Sequence, residues 1–289
     1  MSRLHIEHRT TYDYTSPVKF GMHRMVLRPR EGHRTKVVHH QITLSPAGTL
    51  TWMTDVHGNH VAYADIPEPA ARLEILNEII LDLVDDQEPL PPDRLSQAAL
   101  PLTYLQTEER LVAAYCQPVW EEEGAETKAW VAAQPDAPHP RTAFETAQWL
   151  TALVHRQITY RRREERGTQS PATTLQLGTG SCRDMATLAM EAARAVGLPA
   201  RFVSGYLDSS IAAAGHGSTH AWLEIYFPDG GWRGFDATSG RATGPWHIPT
   251  GVSSHPRGVM PISGTYDGRT GKSLGMKVGL TIRRDSQPA

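Results

Sequence analysis

Cys182 stands in a setting that turns a thiol into a nucleophile. It lies in GTGSCRDMATLAMEAARAVG, residues 178–197, where Gly178 and Gly180 give a side-chain-free approach and Ser181 is a good N-cap. Asp184 follows three residues after Ser181, as in a capping box. The spacing predicts a helix whose first turn holds Cys182, where the positive end of the helix dipole stabilises a thiolate. A buried structural cysteine is the competing reading, because free Cys is among the most buried residue types. A thiolate nucleophile also needs a base to manage its proton, and that base needs an orienting acceptor. The segment THAWLEIYFPDGGWRGFDAT, 219–238, offers both: His220 opens one strand-like stretch and Asp236 closes the next, with PDGG between them as a hairpin turn.

Side-chain parity decides whether the two meet. A three-residue loop, Pro228-Asp229-Gly230, with Gly230 left-handed, pairs Phe227 with Gly231 and Trp222 with Asp236. His220 then shares a face with Asp236, displaced diagonally by two residues and within reach of the carboxylate. A two-residue Asp229-Gly230 turn places them on opposite faces unless a bulge intervenes. Around this trio, Asp184 reads as a charge partner of the helix N-terminus, and Arg183 either holds a loop or meets a substrate carboxylate. Trp222 shields the histidine or fills the core. Tyr160 and Tyr206 read as core residues. The N–H of Cys182 is the candidate oxyanion donor, since a first-turn amide has no intrahelical acceptor.

The elements that must position these groups are legible as patterns. Residues 3–14, 36–46, 49–55 and 60–66 read as strands, with the turn VHGNHV, 56–61, between the last two. Residues 71–85 read as an extended strand, because Leu73, Ile75, Ile79, Leu81 and Leu83 keep odd numbering. The run EPLPPDR, 88–94, is the best boundary, and proline-broken helical pieces follow over 95–142. Residues 141–158 form an amphipathic helix with Thr142 as N-cap. Past Cys182, the helix stops at Gly197, ARFVSGYL (200–207) is a strand, and 208–218 is a Gly/Ala/Ser-rich loop of lid-like composition. The tail from Pro245 is rich in Gly, Pro and Ser and ends in a last strand, 276–284.

Composition removes several function classes. At 289 residues with a formal net charge of −2, no global basic field points to nucleic acid. The densest basic run, Arg161–Arg163 with Arg166, alternates with Glu164 and Glu165 and reads as a solvated loop. No apolar run reaches the length of a membrane span, and the N-terminus has no secretory h-region. Two cysteines, Cys116 and Cys182, make no disulfide framework, so a reducing cytoplasm is the expected compartment. Eight of the fourteen histidines fall in the first sixty residues, but without carboxylates at ligand spacing, and His5 and His8 face opposite ways on a strand. No metal and no cofactor is expected.

The segments GTGSCRDMATLAMEAARAVGLPARFVSGYL and STHAWLEIYFPDGGWRGFDATSG together resemble the transglutaminase-like core of the bacterial cysteine-protease superfamily, over about residues 140–240. Residues 1–85 resemble the β-domain that often precedes this core in bacteria. The resemblance implies an α+β, papain/transglutaminase-like fold with a nucleophile helix packed on an antiparallel sheet. It implies Cys182 as nucleophile, His220 as general base and acid, and Asp236 as orienting carboxylate. The implied organisation is an N-terminal β-rich domain (1–88), a helical connecting region (89–140), the catalytic core (141–245) and a strand-containing extension (246–289). Three positions depart from the family pattern: Thr219 for Ala, Ala237 for Pro and Ser239 for Asn.

The expected function is a thiol-dependent cysteine peptidase or amidase working through a thioester, on a peptide or protein amide, with no nucleic-acid or membrane partner and the oligomeric state left open. Transglutaminase acyl transfer to an amine and a non-catalytic interaction module that retains the fold are the alternatives. Arylamine N-acetyltransferases use the same three side chains in the same order. Their Arg-Gly-Gly approach to the cysteine is absent, and GTGS stands there instead.

Overall fold

The computed structural model describes residues 2–84, 97–135, 141–163, 165–208 and 218–285. The boundary run 88–94 and the part of the lid-like loop over 209–217 lie outside the described residues. The N-terminal third is β: β1 (Ser2–Val18), β2 (His23–Met25), β3 (Thr35–Ser45), β4 (Thr49–Thr54), β5 (His60–Asp65) and β6 (Ala70–Leu83). The alternating stretch is a strand, as expected, over Ala70–Leu83, with Leu73, Ile75, Ile79, Leu81 and Leu83 all buried. β2, too short to show a period, is not foreseen in the sequence. The helices α1 (Glu109–Tyr115), α2 (Gly124–Ala132) and α3 (Ala143–Gln157) follow, the last opened by a Thr142–Glu145 capping box. Then come β7 (Thr159–Tyr160), α4 (Pro171–Leu177), β8 (Thr179–Gly180) and α5 (Cys182–Ala195). The chain closes with β9 (Ala200–Leu207), β10 (Ser218–Phe227), β11 (Gly231–Asp236), β12 (Arg241–Ala242), β13 (His247–Ser253), β14 (Ile262–Ser263) and β15 (Ser273–Arg284).

The site is built on the sheet β12-β11-β10-β9-β13, antiparallel throughout. α5 lies on it: Met185, Leu188, Ala189, Met190, Ala192 and Ala193 share one core with Phe202, Ala221, Leu223, Ile225 and Phe235. The alanines keep the helix close to the strands, and each buried Leu or Met is worth about 1.5–3 kcal/mol. Trp222, one residue out of phase with Ala221 and Leu223, packs instead with Val203 and Val252. α3 covers the same core through Phe144, whose ring is tilted against those of Phe227 and Phe235.

Two further sheets, β15-β1-β6-β3 and β14-β2-β5-β4, enclose a second core of Met25, Leu27, Ala62, Ala64, Leu73 and Ile75. The remaining length of β1 and β6 reaches past it and packs Leu4, Ile6, Ile79 and Leu81 on Tyr206 and Ile248 of the site's own sheet. The C-terminal strand β15 pairs with β1 over Leu4↔Arg284 to Tyr14↔Ser273, so the chain's last strand completes its first sheet. β13, in a stretch that reads as a Gly/Pro/Ser-rich tail, is a strand of the site's sheet.

Candidate active site

The helix that carries Cys182 is anchored from below by Asp184. This carboxylate is fully buried and accepts from Ser181 N (2.8 Å), Ser181 Oγ (2.7 Å) and Gln169 N (2.7 Å), while Arg163 Nη1 lies 2.8 and 2.9 Å from its two oxygens. Gly180 is required here, because a Cβ on it would meet Asp184 Cβ at 2.8 Å. The charge-partner reading of Asp184 thus extends to a clamp joining helix and loop. Arg163 corrects the solvated-loop reading of the basic run: its side chain is 17% exposed, because a buried carboxylate 21 residues on recruits it. Arg183 resolves to the loop-holding role, donating to the carbonyls of Arg163 and Glu165. Cys182 itself is partly exposed at the head of the helix, and its N–H, in the first turn, has no intrahelical acceptor.

The hairpin takes the three-residue loop. Phe227 pairs with Gly231 and Leu223 with Phe235, so Asp236 stands one step further, opposite Trp222. One detail differs: the left-handed residue is Gly231 (φ 64°), not Gly230. His220 and Asp236 share a face as parity requires, with Nε2 3.1 Å from Oδ2 and both residues buried. The imidazole also lies near enough to Cys182 for the sulfur to favour its charged form. With Nε2 engaged by the carboxylate, Nδ1 is the nitrogen left for sulfur. Burial works to discharge this ring, but the hydrogen bond to Asp236 and the nearness of Asp236 and Cys182 outweigh it and push His220 up to about 10. Burial likewise works to raise Asp236, yet its bonds to His220, His247 and Thr238 hold it well below the usual carboxylate range.

Trp222 does both jobs the sequence allowed. It is buried against Val203 and Val252, and its ring lies 6.2 Å from His220, tilted by 30°. Gly205, paired with His220 on the next strand, makes room for it: a Cβ there would sit 2.2 Å from the Ile248 carbonyl oxygen and 2.7 Å from Trp222. Tyr206 is core, as expected. Tyr160 is not: it is 55% exposed, in register with Gly180 on β8, and near enough to Cys182 to feel its charge. A two-residue strand gives parity nothing to work with, which is why the sequence misplaces it.

His247 is the residue the sequence does not announce. It opens β13, is 6% exposed in its side chain, and puts Nε2 3.4 Å from Asp236 Oδ2. Among the described residues, His220, Asp236 and His247 bring ligand-type atoms within 4.8 Å of one another. The protons argue against a cation. Gly244 N–H donates to His247 Nδ1 (3.1 Å), so the neutral ring carries its hydrogen on Nε2, the atom a metal would need bare. His247 stands eleven residues beyond Asp236, and nothing in its spacing separates it in sequence from the other thirteen histidines.

Family comparison matches residues 4–81 to the bacterial transglutaminase-like N-terminal region and residues 126–237 to the transglutaminase-like superfamily. The chain thus carries a transglutaminase-like core behind a bacterial transglutaminase-like N-terminal region. The uncharacterized protein ML0607 of Mycobacterium leprae is 26% identical over 97% of this chain and 99% of its own length. The uncharacterized protein Rv2569c of Mycobacterium tuberculosis is 27% identical over 91% and 87%. Among solved structures, a Cytophaga hutchinsonii protein described provisionally as a cysteine protease superposes with a TM-score of 0.74 at 16% identity, covering 100% of this chain and 92% of its own. That likeness carries the fold: a transglutaminase-like core of helices and sheet behind a strand-rich N-terminal region.

The departures from the superfamily pattern leave the turn after Asp236 intact. Thr238 donates to Asp236 Oδ1 from both N (2.8 Å) and Oγ1 (2.7 Å), and Ser239 Oγ and Gly240 N reach the Asp236 carbonyl at 3.2 and 2.8 Å. Gly240 is left-handed (φ 71°). With this many bonds, the turn does not need the rigidity of a proline at Ala237. Ala237 itself is buried.

Proposed function

We propose that the chain is a thiol-dependent amide hydrolase acting on peptide or protein amides, with Cys182 as nucleophile, His220 as general acid and base, and Asp236 as its orienting carboxylate. The observation that carries this reading is the convergence on His220: one buried imidazole bonded to the Asp236 carboxylate and close enough to a sulfur at a helix N-terminus to feel its charge. The sulfur attacks the carbonyl carbon, and the Cys182 N–H takes the developing negative charge. His220 gives its proton to the departing amine as the C–N bond breaks, leaving a thioester. Water then attacks the thioester, His220 takes a proton from it, and the carboxylic acid leaves with the thiol restored.

The test is incubation with peptide-amide substrates and peptide electrophiles, with mass mapping of the modified residue. Labelling on Cys182, and turnover lost in Cys182→Ala and His220→Ala, is the expected result. A glutamine donor with a fluorescent amine runs in parallel: amine incorporation that depends on Cys182 replaces hydrolysis with acyl transfer. A Cys182 that labels no faster than Cys116 rejects a nucleophile altogether.

A further inference from the structure

We infer that His247 is a positioning residue for Asp236, a second imidazole that fixes the carboxylate which orients His220; this rests on the thiol-enzyme reading above. An ionised carboxylate has about four lone-pair directions. Those of Asp236 are filled: Oδ1 takes Thr238 N and Oγ1, and Oδ2 takes the Nε2 atoms of His220 and His247. Thr238 pins one oxygen through a local turn. Without His247, the other oxygen keeps only the ring it is meant to direct.

His247 is itself held so that it can only donate. The Gly244 N–H occupies Nδ1 and fixes the tautomer that points a hydrogen at Asp236. Trp222 stands edge-on to the ring at 5.2 Å, filling the space between the two histidines on the sheet's face. The backbone is tied on either side: Asp208 N bonds the Trp246 carbonyl, and Arg30 N, from the N-terminal region, bonds the Pro249 carbonyl at 2.8 Å. His247 touches Asp236 directly and acts on His220 through it.

The experiment follows iodoacetamide alkylation of Cys182 by mass spectrometry across pH, with Cys116 in the same chain as internal reference. In His247→Leu the carboxylate loses the donor that fixes its second oxygen, the aim of His220 at the sulfur relaxes, and attack by Cys182 slows. Alkylation is expected to slow about tenfold at pH 6.5. His247→Gln, whose amide reaches as far as Nε2, restores the rate. His247→Asn keeps a partner for Gly244, falls short of Asp236, and stays slow; it serves as the comparison where the leucine variant does not fold. Wild-type-like alkylation of the Leu or Asn variant at pH 6.5, or a Gln variant as slow as Leu, overturns the inference. A fast wild-type Cys182 that slows in His220→Ala but not in the His247 variants rejects His247 alone. A wild-type Cys182 no faster than Cys116 rejects the parent reading and this one with it.

Discussion

Acid should loosen this protein at one buried histidine, by an amount the structure sets. His8 is 2% exposed, between the N-terminal sheet and the site's sheet, and burial holds its ring at about 4. The hydrogen bonds around it run in one direction. His40 Nε2 donates to Asn77 Oδ1 (2.8 Å), Asn77 Nδ2 to Tyr206 Oη (3.0 Å), Tyr206 O–H to His8 Nδ1 (3.1 Å), and His8 Nε2 to Thr10 Oγ1 (3.1 Å). A proton on His8 Nδ1 would face the tyrosine with a second donor and break the chain at its centre. Because the folded value lies below the ordinary 6.5, the unfolded chain binds the proton first; stability is fully present above pH 6.5 and drains away as pH falls toward 4. The full loss is about 3 kcal/mol, of which about 2 kcal/mol has gone by pH 5. Urea unfolding of wild type and His8→Gln at pH 7.5 and 5.0 isolates it, since other groups titrate alike in both. Wild type should lose about 2 kcal/mol more than the variant over that interval. Parallel curves would mean that His8 is charged in the folded protein and that the direction assigned to the bonds is wrong.

Two further outcomes follow from the site. His220 is raised, so its proton is present through neutral pH and is lost only as pH rises through about 10. Acylation of Cys182 by an amide substrate should therefore hold to about pH 9 and fall above it, and a basic limb centred near 7 in kcat/KM would contradict the ion-pair geometry. Arg163→Met leaves the buried Asp184 without its cation and should cost about 2–3 kcal/mol, at the low end for a broken buried pair because Arg163 is 17% exposed. A melting temperature equal to wild type would return Arg163 to the solvated loop that its sequence context suggests.

What the sequence revealed depended on how local the determining contact was. Ser181 and Asp184 lie within one helical turn of Cys182, and His220 and Asp236 belong to one hairpin, so capping and parity placed them. The long alternating strands β1 and β6 were legible because a single face of each is buried. Arg163 escaped because its partner lies 21 residues on, beyond α4 and β8, and a charge run looks solvated until that partner is known. His247 escaped for the same reason in stronger form: Asp236 is already partnered within the hairpin, and nothing in the order of residues says that a third strand on the far side of β9 returns a second imidazole to it. Tyr160 was misplaced because aromatic character predicts burial only on average.

The strands that escaped notice also explain how the N-terminal region bears on a site it does not line. β13 is the outer strand of the site's sheet, paired on one side with β9 alone. Its backbone is also bonded by the N-terminal region: Arg30 N to the Pro249 carbonyl, and Asn59, fully buried, bonding both N and O of Val252 at 2.9 and 2.8 Å. Asn59 is in turn held by Asp55 and Arg30 around the turn at Gly58 (φ 74°). An outer strand held by one neighbour is free to shift in register or tilt; one bonded along both edges is not. The VHGNHV turn therefore fixes the strand that carries His247, and through it the far side of the Asp236 carboxylate. On this geometry Asn59→Ala, more than twenty residues from any position in the hairpin, should slow Cys182 alkylation in the same sense as His247→Leu and by less, because β13 keeps its pairing with β9.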